Sequence, residues 1–170
     1  MASSFSVITF SILVALLQSH FLIVSPCMSC ISPWTSFGNH CYLIVADKKT
    51  FNEAEQYCQS LSRHGRPSHL ASIMSQEEND FLVLLIRSTF NQVDTKTWFG
   101  YHKERSSGSS TWQFIDGNLF MGYTNWGSGQ PGGDGYCSGM VQTATTNTDF
   151  WNDQKCRNRR SSVCKIAARF

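Results

Sequence analysis

The sequence predicts an α+β domain with a long loop region, and three observations carry the prediction. Two segments open on helix-capping signatures, three short runs read as strands, and a long stretch rich in Gly, Asn, Ser and Asp separates the last two runs. The first helix follows Thr50, which forms a capping box with Glu53. Phe51, Ala54, Tyr57, Cys58 and Leu61 then recur at helical spacing and predict a helix over 50–62. Ser75 and Glu78 repeat the signature ahead of Phe81, Leu82, Leu84, Leu85 and Ile86, for a second helix over 75–89. Between them Leu70, Ala71 and Ile73 suit a short strand, and 97–101 and 140–143 read as two more. The region between those two strands carries Trp112 and Trp126, with Trp151 just beyond. A loop of that length in a compact domain is expected to be functional.

Charged side chains make up only 15% of the 170 residues, against 12 Phe, 5 Trp and 5 Tyr, which excludes a disordered chain. The net charge of +2 is too small to drive general binding to nucleic acid or to membranes. No Asp, Glu, Lys or Arg precedes Asp47. Val7 to Leu17 form an apolar block that breaks at Gln18, Ser19 and His20 and resumes at Phe21 to Val24. This pattern predicts a secretory signal peptide over 1–27, a mature chain over 28–170 and a secreted, extracellular location. The rival reading, a signal anchor, would normally have Lys or Arg on its cytoplasmic flank, and here there are none. No membrane insertion of the mature chain is expected.

The cysteines are Cys27, Cys30, Cys41, Cys58, Cys137, Cys156 and Cys164, a high count that points to an oxidising compartment. Cys27 and Cys30 form a C-x-x-C, but no second pair completes a zinc set and no strand precedes it as a redox motif requires. Cysteine arithmetic alone leaves the pairing open.

Six stretches in order resemble the C-type lectin-like domain family, over 30–165. Cys30-Ile31-Ser32-Pro33-Trp34 and Cys41-Tyr42 match its N-terminal hairpin, Phe51-Asn52-Glu53-Ala54 through Cys58 its first helix, and His69-Leu70-Ala71-Ser72-Ile73 the strand after it. Trp98-Phe99-Gly100-Tyr101 stands where the family has Trp-Ile-Gly-Leu, and Phe150-Trp151-Asn152-Asp153 with Cys156 and Cys164 completes the signature. The resemblance implies two helices flanking a small antiparallel sheet, with a long disulfide-tied loop region. It also implies the pairs Cys30–Cys41, Cys58–Cys164 and Cys137–Cys156. The second of these closes roughly a hundred residues, worth about 4–5 kcal/mol in the chain-entropy model. Trp34, Trp98 and Phe99 are read as core.

In sugar-binding members the loop Glu-Pro-Asn or Gln-Pro-Asp and the Trp-Asn-Asp motif hold one Ca²⁺, whose shell two sugar hydroxyls complete. Calcium takes six to eight oxygens. The matching residues here are Gln130-Pro131-Gly132, Asn152 and Asp153. Gln130, Asn152 and Asp153 are therefore the candidate metal and sugar ligands, with Asp134 as a further metal ligand. Gly132 and Gly135 stand at two positions where the family supplies oxygens. Two readings follow. One is a weak Ca²⁺ site, galactose-type because Gln130 leads the loop. The other is an inherited shell in which Pro131 serves its turn as a cis peptide and Trp151-Asn152-Asp153 serves packing and hydrogen bonding. The corresponding functions are calcium-assisted carbohydrate binding, or a calcium-independent extracellular module for proteins, an anionic matrix or a mineral surface.

Lys155, Arg157, Arg159 and Arg160 crowd the stretch after Asp153, with Lys165 and Arg169 beyond, and no acid follows. They form either an anion patch for sulfated or carboxylated glycans or a solvated basic edge. No H-E-x-x-H, G-x-S-x-G or phosphate-binding glycine motif is present, so no catalysis is expected. Cys27 is left over by the three pairs. A signal cut after Cys27 removes it and leaves a monomer, whereas a cut after Ser25 keeps it to link a homodimer.

Overall fold

The computed structural model of the chain describes residues 30–91, 95–106, 109–143 and 148–169. The signal-peptide reading and Cys27 lie outside them. Strands β1 (Thr35–Phe37) and β2 (His40–Lys49) lead into helix α1 (Phe51–Ser60), strand β3 (Ser68–Leu70) and helix α2 (Gln76–Thr89). Strands β4 (Thr95–Ser106), β5 (Ser109–Phe114), β6 (Cys137–Thr143), β7 (Thr148–Gln154) and β8 (Arg160–Ala167) follow.

Both helices begin where their caps predict. At α1 the box is complete: Glu53 N donates to Thr50 Oγ1 at 3.4 Å and Thr50 N to Glu53 Oε2 at 2.9 Å. At α2 only half of it forms. Glu78 N donates to Ser75 Oγ at 3.2 Å, but the Glu78 carboxylate turns into the core. There its Oε1 accepts from Tyr42 OH at 2.5 Å and from Lys165 Nζ at 2.6 Å, and its Oε2 accepts from Met74 N at 2.9 Å. Lys165, read from the sequence as an outlier of the basic stretch, is therefore a buried ion-pair partner.

The eight strands form one sheet in the order β1-β2-β8-β4-β6-β7, with β3 on β8 and β5 on β4. The expected antiparallel sheet is in fact mixed, because β4 and β8 run parallel through Thr97 opposite Ser161 and Trp98 opposite Ser162. The stretch expected to be one long loop is also interrupted. Strand β4 runs on to Ser106 and returns as β5, so the open loop spans 115–136.

Successive strand residues face opposite sides of a sheet, and here they divide the core between the helices. Leu70, Trp98 and Cys164 pack with Phe51, Ala54 and Cys58 of α1, while their neighbours Ala71, Phe99 and Val163 pack with Leu82, Val83 and Ile86 of α2. The helices thus flank the sheet, as expected. Trp98 and Phe99 are fully buried and Trp34 is half-buried. Gly100 is required between them and Tyr101, since a Cβ there would meet Leu70 O at 2.6 Å. The disulfides are Cys30–Cys41, Cys58–Cys164 and Cys137–Cys156.

Candidate functional site in the long loop

Strand β7 carries the Trp-Asn-Asp motif, and the long loop is stitched to it. Trp151 N donates to Asn125 O at 2.7 Å, and Gly127 N returns a bond to Trp151 O at 3.0 Å. Trp151 is wholly buried, its indole N–H donating to Asn79 Oδ1 at 2.9 Å. Trp126 packs edge-on against both Trp151 and Trp112. Gly127 makes this approach possible, because a Cβ there would run into the Phe150 ring at 2.5 Å. Trp112, Trp126 and Trp151, conspicuous in the sequence, are the packing floor of the loop.

Above that floor the chain turns at Gln130-Pro131, a cis peptide. Gln130 N donates to Gly127 O at 2.9 Å. The residues that follow close over Asp153, which is 1% exposed. Its Oδ1 accepts from Gly132 N at 2.8 Å, and its Oδ2 accepts from Gly133 N at 2.9 Å and Gly135 N at 3.0 Å. Gly132 N also donates to Gln130 Oε1 at 3.1 Å. A carboxylate beneath three converging amides has its charge answered by their dipoles.

Of the sequence-derived ligands, Gln130 and Asp153 meet at one amide, and Asn152 lies half-buried beside Asp153 on β7. Asp134 is exposed and borders a separate hollow with Tyr136, Lys155 and Arg157. Gly135 has no room for the family's acidic side chain, since a Cβ there would lie 1.9 Å from the Gln154 carbonyl. Gly132 does have room, with its nearest neighbour at 3.5 Å. Calcium takes six to eight oxygens, several of them from carboxylates. Here three N–H donors occupy most of the lone-pair positions of Asp153, and Asp134 borders a separate hollow, so this arrangement does not gather the oxygens of a Ca²⁺ shell.

Sequence reasoning passed over Gly132 and Gly135 as lost ligands and did not single out Gly133, whereas here all three act as donors. The glycine run directly after Pro131 is the signal, because backbone amides approach an anion most closely where no side chain intervenes. The basic stretch divides as well. Lys155 and Arg157 border the same hollow as Asp134, whereas Arg159 reaches Glu53 at 3.3 Å and Arg160 donates to Gln154 Oε1 at 3.2 Å.

The model of the Lectin C-type domain family matches residues 47–166. The chain belongs to the C-type lectin domain family. Within it, the chain is 33% identical over 138 residues to an alpha-N-acetylgalactosamine-specific lectin of Patiria pectinifera, covering 79% of this chain and 78% of that one. The crystal structure of human lithostathine superposes with a TM-score of 0.71 at 27% identity, over 88% of this chain and 99% of that one. A calcium-independent type II antifreeze protein superposes with a TM-score of 0.64 at 28% identity, over 83% and 96%. The family is a binding fold, not an enzymatic one. Among the described residues, no helix is long and apolar enough to cross a membrane.

Proposed function

We propose that this C-type lectin-like chain is an extracellular binding module that engages glycans or an extracellular protein or matrix surface without calcium at the Gln130–Gly135 loop. The carrying observation is the set of three amides on Asp153. They supply the positive potential that an ion would otherwise bring, and they hold the loop closed. The three disulfides support an oxidising, extracellular setting. The calcium-independent antifreeze relative supports a fold that persists without the ion.

A second reading is calcium-assisted binding of galactose or N-acetylgalactosamine through Gln130, Asn152 and Asp153, with Asp134 as a further ligand. The observation in its favour is the 33% identity to a lectin named for N-acetylgalactosamine. It requires the amide bonds on Asp153 to rearrange so that its oxygens can turn to the ion. Calorimetric titration with Ca²⁺, followed by a glycan array with and without chelator, separates the two. The proposal expects no saturable Ca²⁺ heat and an array pattern unchanged by chelator. A Ca²⁺ signal abolished by Asp153→Ala, with galactose-type binding lost in chelator, would establish the second reading instead.

A further inference from the structure

A cleft of about 480 Å³ opens away from the long loop, where the ends of β2, β6 and α2 meet the starts of β4 and β8. Four cations border it: Lys48, Lys96, Arg159 and Arg160. The sheet register gathers them from three distant parts of the chain. Lys49 lies opposite Arg160, and the parallel pair Thr97 and Ser161 sets Lys96 alongside Arg160. Lys48 and Lys96 are exposed. Among the described residues Lys48, Lys96 and Arg160 have no carboxylate partner, and Arg159 has only Glu53, itself half-exposed.

Such a gathering is out of proportion to the whole. The chain has 14 Lys and Arg against 12 Asp and Glu, yet no described carboxylate borders this cleft. Like charges around one opening repel each other and focus the field into it, so the arrangement is complete only with an anion inside. The walls are not purely polar. Phe90 and Val141 line the cleft between the cations. Apolar faces between cations match sugar rings that carry anionic groups, and the volume lies within the usual range for ligand sites.

The geometry points to this cleft as a site for a sulfated glycan segment, with Lys48, Lys96, Arg159 and Arg160 binding its sulfates. A nucleic acid fits less well, because the cleft offers Phe90 alone as a stacking ring and single-strand sites string several together. A membrane fits less well because the site is concave. The site is separate from the Asp153 loop, so a test in chelator leaves the calcium question untouched.

The experiment is calorimetric binding of a heparin-derived oligosaccharide to the oxidised protein in chelator. Duplex DNA of equal charge and anionic vesicles serve as comparison ligands. The expected result is salt-dependent heparin binding, weakened at least tenfold in Lys48→Ser/Lys96→Ser and less than twofold in Lys155→Ser/Arg157→Ser. Lys48 and Lys96 are exposed, so the double variant should keep its melting temperature, which is checked in parallel. Three results overturn the proposal: no heparin binding, a loss carried by Lys155 and Arg157, or DNA or vesicle binding as tight as heparin.

Discussion

Of the three carboxylates buried among the described residues, Glu55, Glu78 and Asp153, the last two are held in opposite ways. Glu78, 6% exposed, is answered by the ammonium of Lys165, the hydroxyl of Tyr42 and one backbone amide. Lys165 also donates to the carbonyl and hydroxyl of Ser72, so this network ties β2, α2, β8 and the segment after β3. Burial, followed by the adjacent Glu78 charge, pushes the Tyr42 phenol well above its usual value and keeps it a donor. Asp153, 1% exposed, is answered among the described residues by three amides of one short loop. A charge met by a charge binds four elements together, whereas a charge met by dipoles binds one loop to one strand. Damage to the first should therefore be global and damage to the second local.

The largest expected effect is at the first site. Glu78→Ala strands a buried ammonium, which costs about 3–5 kcal/mol and should lower the melting temperature by roughly 10 °C. Equilibrium denaturation checks this, and a loss under 1 kcal/mol would remove the contrast. Asp153→Ala orphans amides that can turn to water once the loop opens, so its cost should be about 1–2 kcal/mol. Hydrogen exchange should show lost protection at Gly132, Gly133 and Gly135 while the amides of β8 keep theirs.

The two loop glycines sharpen the comparison further. Gly135→Ala meets backbone at 1.9 Å and should displace the loop at a cost of about 1–3 kcal/mol. Gly132→Asn has its nearest neighbour at 3.5 Å and should change stability by less than about 0.5 kcal/mol. Denaturant midpoints of the two variants, measured side by side, test this order.

The smallest effect belongs to an exposed carboxylate. The amide of Thr50, followed by its hydroxyl, holds Glu53 below the usual glutamate value. The unfolded chain then binds more protons between the two values, so stability rises with pH there. The contribution is full above the ordinary glutamate range, about pH 4.3, and is lost as pH falls through the folded value. Glu53→Gln should flatten that limb of the stability–pH curve slightly.

The helices were legible in the sequence because short-range rules govern them: caps at Thr50 and Ser75 and a 3.6-residue period need no partner to be identified. The core motif at Trp98-Phe99-Gly100 was legible through the family resemblance. The disulfide pairs came from the family resemblance and could not have come from spacing. Other features depend on tertiary partners. The capping signature at Ser75 gives no sign that Glu78 will turn toward Lys165, 87 residues away. The end of β4 and the start of β5 are built of polar residues that read as loop. An aspartate next to a glycine-rich loop reads equally well as an ion ligand or an amide acceptor, and only the direction of the amides decides. Lys48 and Lys96 joined Arg159 and Arg160 through sheet register, which no local pattern encodes.

The central claim, that Asp153 is satisfied by amides and not by an ion, is tested most directly on those amides. Backbone NMR of the oxidised protein, titrated with Ca²⁺ to millimolar concentration, reads Gly132, Gly133 and Gly135 individually. The account predicts slow exchange with solvent at all three and no saturable shift on adding Ca²⁺. Saturable shifts at these glycines, accompanied by loss of their protection, would contradict it.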